Sequence, residues 1–152
     1  VVRVTSDCPL IDPQIIDEII LFFKENKNSL DYASNTLTRS YPRGMDTEIL
    51  PFKVLEKAYL EAEMTSDREH VTPFVYRQAN RFRIGQVTST EDYSHHRWTV
   101  DTPEDFELIS KILEAIYPRK PDFCLDDCLK LIDNYPHWAL INSDIRQKAY
   151  WE

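Results

Sequence analysis

The sequence predicts an α/β domain, and three observations support this. A β-branched segment at residues 1–5 is followed by a loop and then by an amphipathic helical segment. The same order returns later, where residues 98–100 resemble a strand and precede a helix that begins at Pro103. The chain has 152 residues, a length that suits one hydrophobic core. Strands that alternate with helices in this way indicate a sheet covered by helices.

The first strand and the first helix have clear local signals. The residues from Val1 to Thr5 are mostly β-branched, which favours a buried strand with both faces covered. We therefore expect an interior parallel strand, in a chain that begins inside a domain. Asp12 and Pro13 suit the N-cap and the first turn of a helix that reaches about Lys27. Its inner face is expected to contain Ile15, Ile16, Ile19, Ile20, Phe22 and Phe23.

The middle of the chain predicts shorter elements. Strands are expected at residues 31–36, 47–50 and 82–87, and a helix is expected at residues 51–63. Residues 66–69 have the spacing of a capping box, so another helix should begin near Asp67. Pro73 should kink or shorten that helix, because proline lacks the amide hydrogen that an internal helical position needs.

The last third of the chain predicts one strand, at residues 98–100, and two helices. Thr102 suits the N-cap of the first helix, which is expected to reach Tyr117. The expected inner face of this helix consists of Phe106, Ile109, Ile112, Leu113 and Ile116. Residues 118–121 indicate a linker, and a second helix is expected at residues 125–134. We therefore expect a main unit at residues 1–118 and a small helical C-terminal extension at residues 119–152.

The composition argues against several classes of function. The net charge is −8, which makes nucleic acid a poor partner, because binding it requires Lys and Arg side chains that neutralise phosphates. The longest apolar cluster, residues 19–23, is far shorter than the ~18 residues of a membrane span. The first residues lack the charged and apolar regions of a secretory signal. We expect a cytoplasmic protein that binds neither nucleic acid nor membranes.

Asp7 and Asp101 are the strongest candidates for catalysis and for metal binding. Each follows a β-branched segment and precedes a helix that starts at a proline. Ligands of open α/β sheets bind beyond the carboxyl ends of the strands, so the two carboxylates could approach each other. Mg²⁺ prefers one or two carboxylates together with phosphates and water, which suits phosphoryl or nucleotidyl transfer. The alternative is that both residues only form turns and helix starts.

Other polar residues suggest ligand contacts with less specificity. Arg43 lies in a loop beside Gly44, where the backbone could approach a ligand closely or could form a plain turn. Glu69 and His70 could donate and accept hydrogen bonds with a polyhydroxylated ligand. Alternatively, Glu69 caps a helix and His70 lies on the surface.

Histidines and cysteines could hold a metal ion, but their spacing gives little support for one. His95 and His96 should point to opposite faces of a strand, so they should not bind one ion together. Cys8, Cys124 and Cys128 are expected to be small buried apolar residues. The alternative, a zinc site made with a histidine, lacks the usual spacing of zinc ligands.

Five motifs, in order along the chain, point to a known family. They are VRVTSDCPLIDP at residues 2–13, SNT at 34–36, PRGMDTE at 42–48, REHVTP at 68–73 and RWTVDTPED at 97–105. Together they resemble the spore coat polysaccharide biosynthesis protein F family, cytidylyltransferases related to CMP-KDO and acylneuraminate synthetases. Residues 142–150 also resemble the C-terminal end of that family. The resemblance is specific for the family but not for the substrate.

The resemblance implies a partial Rossmann-like α/β/α sandwich of the nucleotide-diphospho-sugar transferase type. In related synthetases, aspartates that match Asp7 and Asp101 bind Mg²⁺, which orients the α-phosphate of CTP for attack by a sugar hydroxyl. Further residues should then line one cleft beside Asp7 and bind a sugar or sugar acid. These substrate-binding candidates are Asn35, Arg43, Glu48, Glu69 and His70. Arginine suits a carboxylate, because its planar fork donates two parallel hydrogen bonds.

The function implied is a Mg²⁺-dependent sugar nucleotidyltransferase that uses CTP or another nucleotide and forms an activated sugar for surface or spore-coat polysaccharide. The N-terminal strand of the family and its Gly- and Arg-rich nucleotide loop have no counterpart among these residues. We therefore expect residues 1–118 to be the C-terminal part of the catalytic domain, and the chain alone to be inactive. Related synthetases are dimers, which implies a homodimer joined through residues 83–94 and the segment after Pro118. The alternatives are a non-catalytic sugar-binding or assembly module, and a glycosyltransferase-like enzyme that uses a nucleotide sugar.

Overall fold

A computed structural model of the protein describes residues 1–146. The four strands found within these residues are β1 Val2–Arg3, β2 Tyr32–Ser34, β3 Glu48–Ile49 and β4 Ile84–Gln86. The helices are α1 Pro13–Glu25, α2 Phe52–Glu61, α3 Thr65–His70, α4 Pro73–Tyr76, α5 Pro103–Ile116 and α6 Leu125–Asn134, followed by a 3₁₀ helix at Pro136–Leu140. Within residues 1–146, none of the helices is both long enough and apolar enough to cross a membrane.

The strands form one sheet in the order β1-β3-β2-β4. β3 is antiparallel to both of its neighbours, and β2 is parallel to β4. β1 therefore points in the same direction as β2 and β4, so the carboxyl ends of these three strands lie at one edge of the sheet. The loops that carry Asp7, Asn35 and Arg43 all begin or end at this edge.

The sheet separates two hydrophobic cores, because successive side chains along a strand point to opposite faces. Ala33 of β2 and Ile49 of β3 face the larger core, which is completed by α1, α5 and α6. Tyr32 and Leu50 face the smaller core, which is completed by α2 and α4. Helices therefore cover both faces, and the predicted α/β/α sandwich is confirmed.

The expected interior position of residues 1–5 is wrong for this chain. Only Val2–Arg3 forms a strand, which pairs antiparallel with β3 and lies at the edge of the sheet. The side chains of Val1, Val2 and Val4 are 53%, 39% and 46% exposed. β-Branched residues favour a strand, but strand neighbours and their direction depend on the rest of the fold.

The starts of the long helices agree with the sequence. Asp12 caps α1, since its Oδ1 accepts a hydrogen bond from the Gln14 amide at 2.8 Å. The Oδ2 of the same carboxylate accepts from the Leu125 amide at 2.7 Å, which joins the start of α6 to the start of α1. Thr102 and Asp105 form a capping box at the start of α5. Residues 125–132 thus pack on the same core as residues before the expected boundary at 118.

Several local details differ from the sequence-based expectations. α3 begins at Thr65, two residues before Asp67, which is buried in an ion pair with Arg77. As expected from Pro73, α3 is short: it ends at His70, and Pro73 starts the separate helix α4. Phe106 is 64% exposed, whereas Leu108 is buried.

Two expectations concern the last third of the chain. Residues 98–100 are extended but do not form a strand of the sheet, and the segment has one isolated bridge, between Arg43 and Arg97. Because tryptophan surface is costly to leave exposed, the sequence predicts that Trp138 and Trp151 are partly buried against the domain or a partner. Trp138 is partly buried against the larger core, and Trp151 lies outside the described residues.

Candidate functional site

Asp7 lies in the loop after β1, where it is half-buried among hydroxyl and thiol groups. The Thr99 hydroxyl donates a hydrogen bond to Asp7 Oδ2 at 3.0 Å, and the Cys8 thiol lies 3.6 Å from Oδ1. Burial acts to raise the pKa of Asp7, but hydrogen bonds from groups that include the Thr5 and Thr99 hydroxyls outweigh it. The pKa of Asp7 therefore lies below its ordinary value, and the carboxylate is ionised at neutral pH.

Asp101 lies just before α5, on the other side of the same hydroxyl. Its Oδ2 is 3.5 Å from Thr99 Oγ1 and accepts a hydrogen bond from Arg97 Nη2 at 2.6 Å. Because Asp7 and Asp101 both contact one hydroxyl oxygen, their Oδ2 atoms lie no more than about 6.5 Å apart. The structure thus brings together two carboxylates that are far apart in the sequence.

Main-chain hydrogen bonds hold residues 96–100 at the sheet edge that carries Asp7. The Val100 amide donates to the Asp7 carbonyl at 2.9 Å. On the other side, the Trp98 amide donates to the Arg43 carbonyl at 2.8 Å, and the Arg43 amide donates to the His96 carbonyl at 3.0 Å. Thr99 is therefore fixed between the loop after β1 and the loop before β3.

Asp101 is fixed by a polar cluster of Arg97, Asp105 and Asn142 that the sequence analysis missed. Asp105 is fully buried and accepts two hydrogen bonds from Arg97, at 2.9 and 2.8 Å. Asn142 donates to Asp105 Oδ1 at 2.7 Å and to the Arg97 carbonyl at 2.8 Å. The capping-box spacing of Thr102 and Asp105 was visible in the sequence, but the partners of Asp105 were not.

The residues present fit a magnesium ion. Mg²⁺ binds through one or two carboxylates and keeps other positions for water and substrate phosphates, and Asp7 and Asp101 supply such a pair. No group of three or more His, Cys, Asp or Glu side chains within residues 1–146 is arranged to hold a metal. A closed, fully protein-ligated site of the zinc type therefore finds no ligand set in the described part of the chain.

Asn35 and Glu48 lie at the expected edge, but other protein groups occupy their polar atoms. Asn35 donates to the Met45 carbonyl at 2.7 Å and accepts from the Thr47 amide at 2.9 Å, so it holds the β2–β3 loop. Glu48 is paired with Arg3 and accepts a hydrogen bond from the Tyr32 hydroxyl at 2.5 Å. In this structure both residues stabilise the loops and strands around the site.

Glu69 and His70 lie at the end of α3, beside the smaller core. Glu69 is exposed, and no hydrogen bond joins it to Asp7 or Asp101 within the described structure. Val71, the next residue, has φ +68° and closes a tight turn in which the Thr72 amide donates to the His70 carbonyl at 2.8 Å. A positive φ is strained for a β-branched residue, and such strain often accompanies functional segments.

Arg43 lies in the loop between β2 and β3, just before Gly44. Gly44, with φ +101°, packs so closely that an added Cβ would lie 2.5 Å from the Trp98 carbonyl oxygen. The Arg43 side chain lines a cavity together with residues 94–98 and with residues near Asn142. None of the other four candidates is among the described residues that line this cavity, so the expectation of one shared cleft beside Asp7 stays a prediction.

Comparison with known proteins gives a consistent result. Residues 1–129 match the family described as cytidylyltransferase. An uncharacterized protein of Methanocaldococcus jannaschii is 32% identical over 154 aligned residues, covering 100% of this chain and 60% of that protein. The spore coat polysaccharide biosynthesis protein SpsF of Bacillus subtilis is 25% identical over 142 residues, covering 91% of this chain and 57% of SpsF.

A solved structure agrees with these matches. The structure of a cytidylyltransferase from Leptospira borgpetersenii serovar Hardjo-bovis superposes with a TM-score of 0.85 and 30% identity, covering 97% of this chain and 60% of that one. The chain thus spans about 60% of the length of these relatives. The matching sequence model, the relatives and the shared fold together establish that this chain belongs to the cytidylyltransferase family.

Proposed function

We propose that this chain is the sugar-side portion of a nucleotidyltransferase that uses CTP to form an activated sugar for polysaccharide biosynthesis. The observation that carries the proposal is the approach of Asp7 and Asp101 around the Thr99 hydroxyl. The match to the cytidylyltransferase family supports CTP as the nucleotide donor, and the similarity to a spore coat polysaccharide biosynthesis protein supports the polysaccharide product.

Each residue of this site has a role that follows from its contacts. Asp7 stays ionised because its hydrogen bonds outweigh its burial, so it can ligate a cation. Arg97 fixes one oxygen of Asp101, while Asp105 fixes Arg97. Thr99 donates to Asp7 and thereby holds its carboxylate towards Asp101. A magnesium ion held by the two aspartates would neutralise negative charge on the nucleotide phosphates as pyrophosphate leaves.

The test uses the full-length protein, because the relatives are longer than this chain. Pyrophosphate release from CTP is measured with a panel of sugars and sugar acids, at several Mg²⁺ concentrations. Asp7→Asn and Asp101→Asn should each lower turnover about 100-fold or more, since losing a metal ligand removes several kcal/mol of transition-state stabilisation. Asp122→Asn removes one exposed charge that has no hydrogen bond to Asp7 or Asp101 within residues 1–146, so it should change turnover little.

Two outcomes would contradict the proposal. An Asp101→Asn enzyme with wild-type turnover and unchanged Mg²⁺ dependence would leave Asp101 only a role in starting α5. Wild-type protein that binds sugars but releases no pyrophosphate would favour a non-catalytic sugar-binding module.

The proposal includes a homodimer. Residues 83–94 and the segment after Pro118 are the regions proposed to join the two copies. Light scattering at micromolar protein concentration should give twice the mass of one full-length chain. A monomer mass would reject the dimer without affecting the proposed chemistry.

A further inference from the structure

The helix α2 and the turn after it carry a group of large apolar side chains on their outer surface. Phe52, Tyr59, Leu60 and Met64 are 67%, 71%, 71% and 55% exposed. The inner face of α2 is also apolar, since its buried residues belong to the smaller core. A helix that is apolar on both faces is normally buried on both. The outer face of α2 therefore suits a contact with another molecule.

A groove of about 510 Å³ runs between α2 and α3 beside these side chains. Its apolar walls are formed by Phe52, Leu55, Ala58, Tyr59, Ala62 and Val71. The Arg68 guanidinium of α3 lies 5.9 Å from the centre of the Tyr59 ring, so a cation–π contact joins the two helices at the groove. Aromatic and arginine side chains around an apolar recess are typical of the centre of a protein–protein interface. We refer to residues 52–71 as the α2–α3 surface.

The α2–α3 surface has both of the parts that a contact between two identical chains requires. A two-fold axis places the same surface on each side of the contact, so the side chains that project from one copy must fit a recess on the other. Leu60 and Met64 project from the surface and are not among the residues that line the groove. In a pair of copies they can enter the groove of the partner, whose walls are apolar.

Charges along the α2–α3 surface favour an antiparallel pair of α2 helices. Lys53 lies at the start of α2, and Glu63 lies just after its end. Both residues are exposed, and neither forms an ion pair among residues 1–146. In an antiparallel pair, Lys53 of each copy lies near Glu63 of its partner, and the two helix dipoles attract each other. A parallel pair would place like charges side by side.

Residues 83–94, one of the regions named for the homodimer, offer less apolar surface than α2. None of their large hydrophobic side chains is exposed. Arg81, just before that region, pairs with Glu61 at the end of α2, so the α2–α3 surface adjoins it. We propose that the α2–α3 surface is the apolar centre of a contact between two copies of this chain, with antiparallel α2 helices and with Leu60 of each copy in the groove of the other. The proposal rests on the homodimer of the proposed function, for which it names a different surface, and is independent of the reaction.

The experiment measures the mass of the full-length protein by light scattering over a range of micromolar concentrations. Leu60→Glu would bury a carboxylate in each of the two grooves and should raise the dissociation constant about 100-fold or more. The variant should fold normally, because Leu60 is exposed and glutamate is a good helix former. Leu21→Glu is the matched control, since it makes the same change at a 57% exposed position of α1. It should keep the wild-type mass.

A pair of charge reversals tests the antiparallel direction. Lys53→Glu and Glu63→Lys should each weaken the association about 3- to 10-fold, because each places like charges together at both ends of the contact. A one-to-one mixture of the two variants should restore the wild-type affinity. In the mixed dimer the two substituted side chains face each other with opposite charges, and the two unchanged side chains do the same.

The outcomes separate this proposal from the rest of the proposed function. A wild-type mass in Leu60→Glu, dissociation in Leu21→Glu, or no recovery in the mixture would each overturn the proposal. If the wild type has the mass of two chains and Leu60→Glu keeps it, the α2–α3 surface is rejected while the homodimer through residues 83–94 stands. A wild type with the mass of one chain rejects both contacts, and the release of pyrophosphate is judged separately.

Discussion

Replacing Asp105 by alanine should destabilise the protein strongly, because this fully buried carboxylate joins separate parts of the chain. Asp105 accepts hydrogen bonds from Arg97 at 2.9 and 2.8 Å and from Asn142 at 2.7 Å. It also accepts from the backbone amides of Asp101 and Thr102, at 3.1 and 3.2 Å. Asp105→Ala would remove an acceptor from all four groups, while Asp101 would still accept from Arg97 and the Arg97 carbonyl would still accept from Asn142.

The magnitude follows from the burial of the ion pair. Removing one partner of a buried ion pair costs about 3–5 kcal/mol, and Asp101, the carboxylate that would still pair with Arg97, is half-exposed. At about 2–4 °C per kcal/mol for a chain of this size, the melting temperature should fall by about 10 °C. An exposed aspartate makes no such contribution, so Asp122→Ala should leave stability within about 0.5 kcal/mol of the wild type.

The pH dependence of the free energy of unfolding gives a second, independent test of the role of Asp105. Burial acts to raise the pKa of Asp105, but hydrogen bonds from Arg97 and Asn142 outweigh it and lower that pKa in the folded state. The stabilisation is therefore fully present above the unfolded-state pKa of about 3.9. It is lost as the pH falls through the lower folded-state value. The difference between wild type and Asp105→Ala should shrink below about pH 4.

The assay is urea unfolding followed by tryptophan fluorescence, at pH 7 and at several pH values below 4.5. Trp98 is 1% exposed and lies in the same segment as Arg97, so its emission should report the loss of local packing. A loss below about 1 kcal/mol at pH 7 would refute the reasoning. It would show that the cluster of Arg97, Asp105 and Asn142 is not a rigid support for Asp101.

Three further predictions concern the backbone and the shared hydroxyl. Gly44→Ala should cost about 1–3 kcal/mol in urea unfolding, because φ is +101° and the new Cβ would lie 2.5 Å from the Trp98 carbonyl oxygen; a neutral effect would contradict the close packing. Val71→Gly should keep or raise the free energy of unfolding, by up to about 1 kcal/mol, because glycine tolerates the positive φ; a clear loss would mean that the Val71 side chain matters more than the strain. Thr99→Val should lower turnover of the full-length enzyme about tenfold and raise the Mg²⁺ concentration it needs, while stability falls by only about 1 kcal/mol; unchanged Mg²⁺ dependence would remove Thr99 from the site.

The helices could be predicted because their signals are local. Asp12 with Pro13, and Thr102 with Pro103, mark the starts of α1 and α5 through contacts that span only a few residues. The prediction that Phe106 faces the core was wrong, because apolar periodicity does not decide which of two nearby apolar residues is buried. Leu108 is buried instead.

The strands were harder to predict, because a strand is defined by partners distant in sequence. Residues 1–5 have the composition of a buried strand, yet β1 lies at the sheet edge. Residues 98–100 also have that composition, yet they connect two loops instead of joining the sheet. Composition indicates an extended backbone in both cases. Whether that backbone pairs with another strand through hydrogen bonds depends on which segments lie beside it.

The sequence by itself determined the α/β class, the helices α1, α2, α5 and α6, and the family, and it singled out Asp7 and Asp101 by their positions before proline-started helices. Only the tertiary structure decided that the Thr99 hydroxyl lies between those two carboxylates, at a sequence separation of 92 residues from Asp7. It also decided that Arg43 lines a cavity together with Trp98. The physical reason is that helix starts depend on contacts within one turn of chain, whereas hydrogen bonds at a site depend on which distant loops the packed sheet brings to one edge.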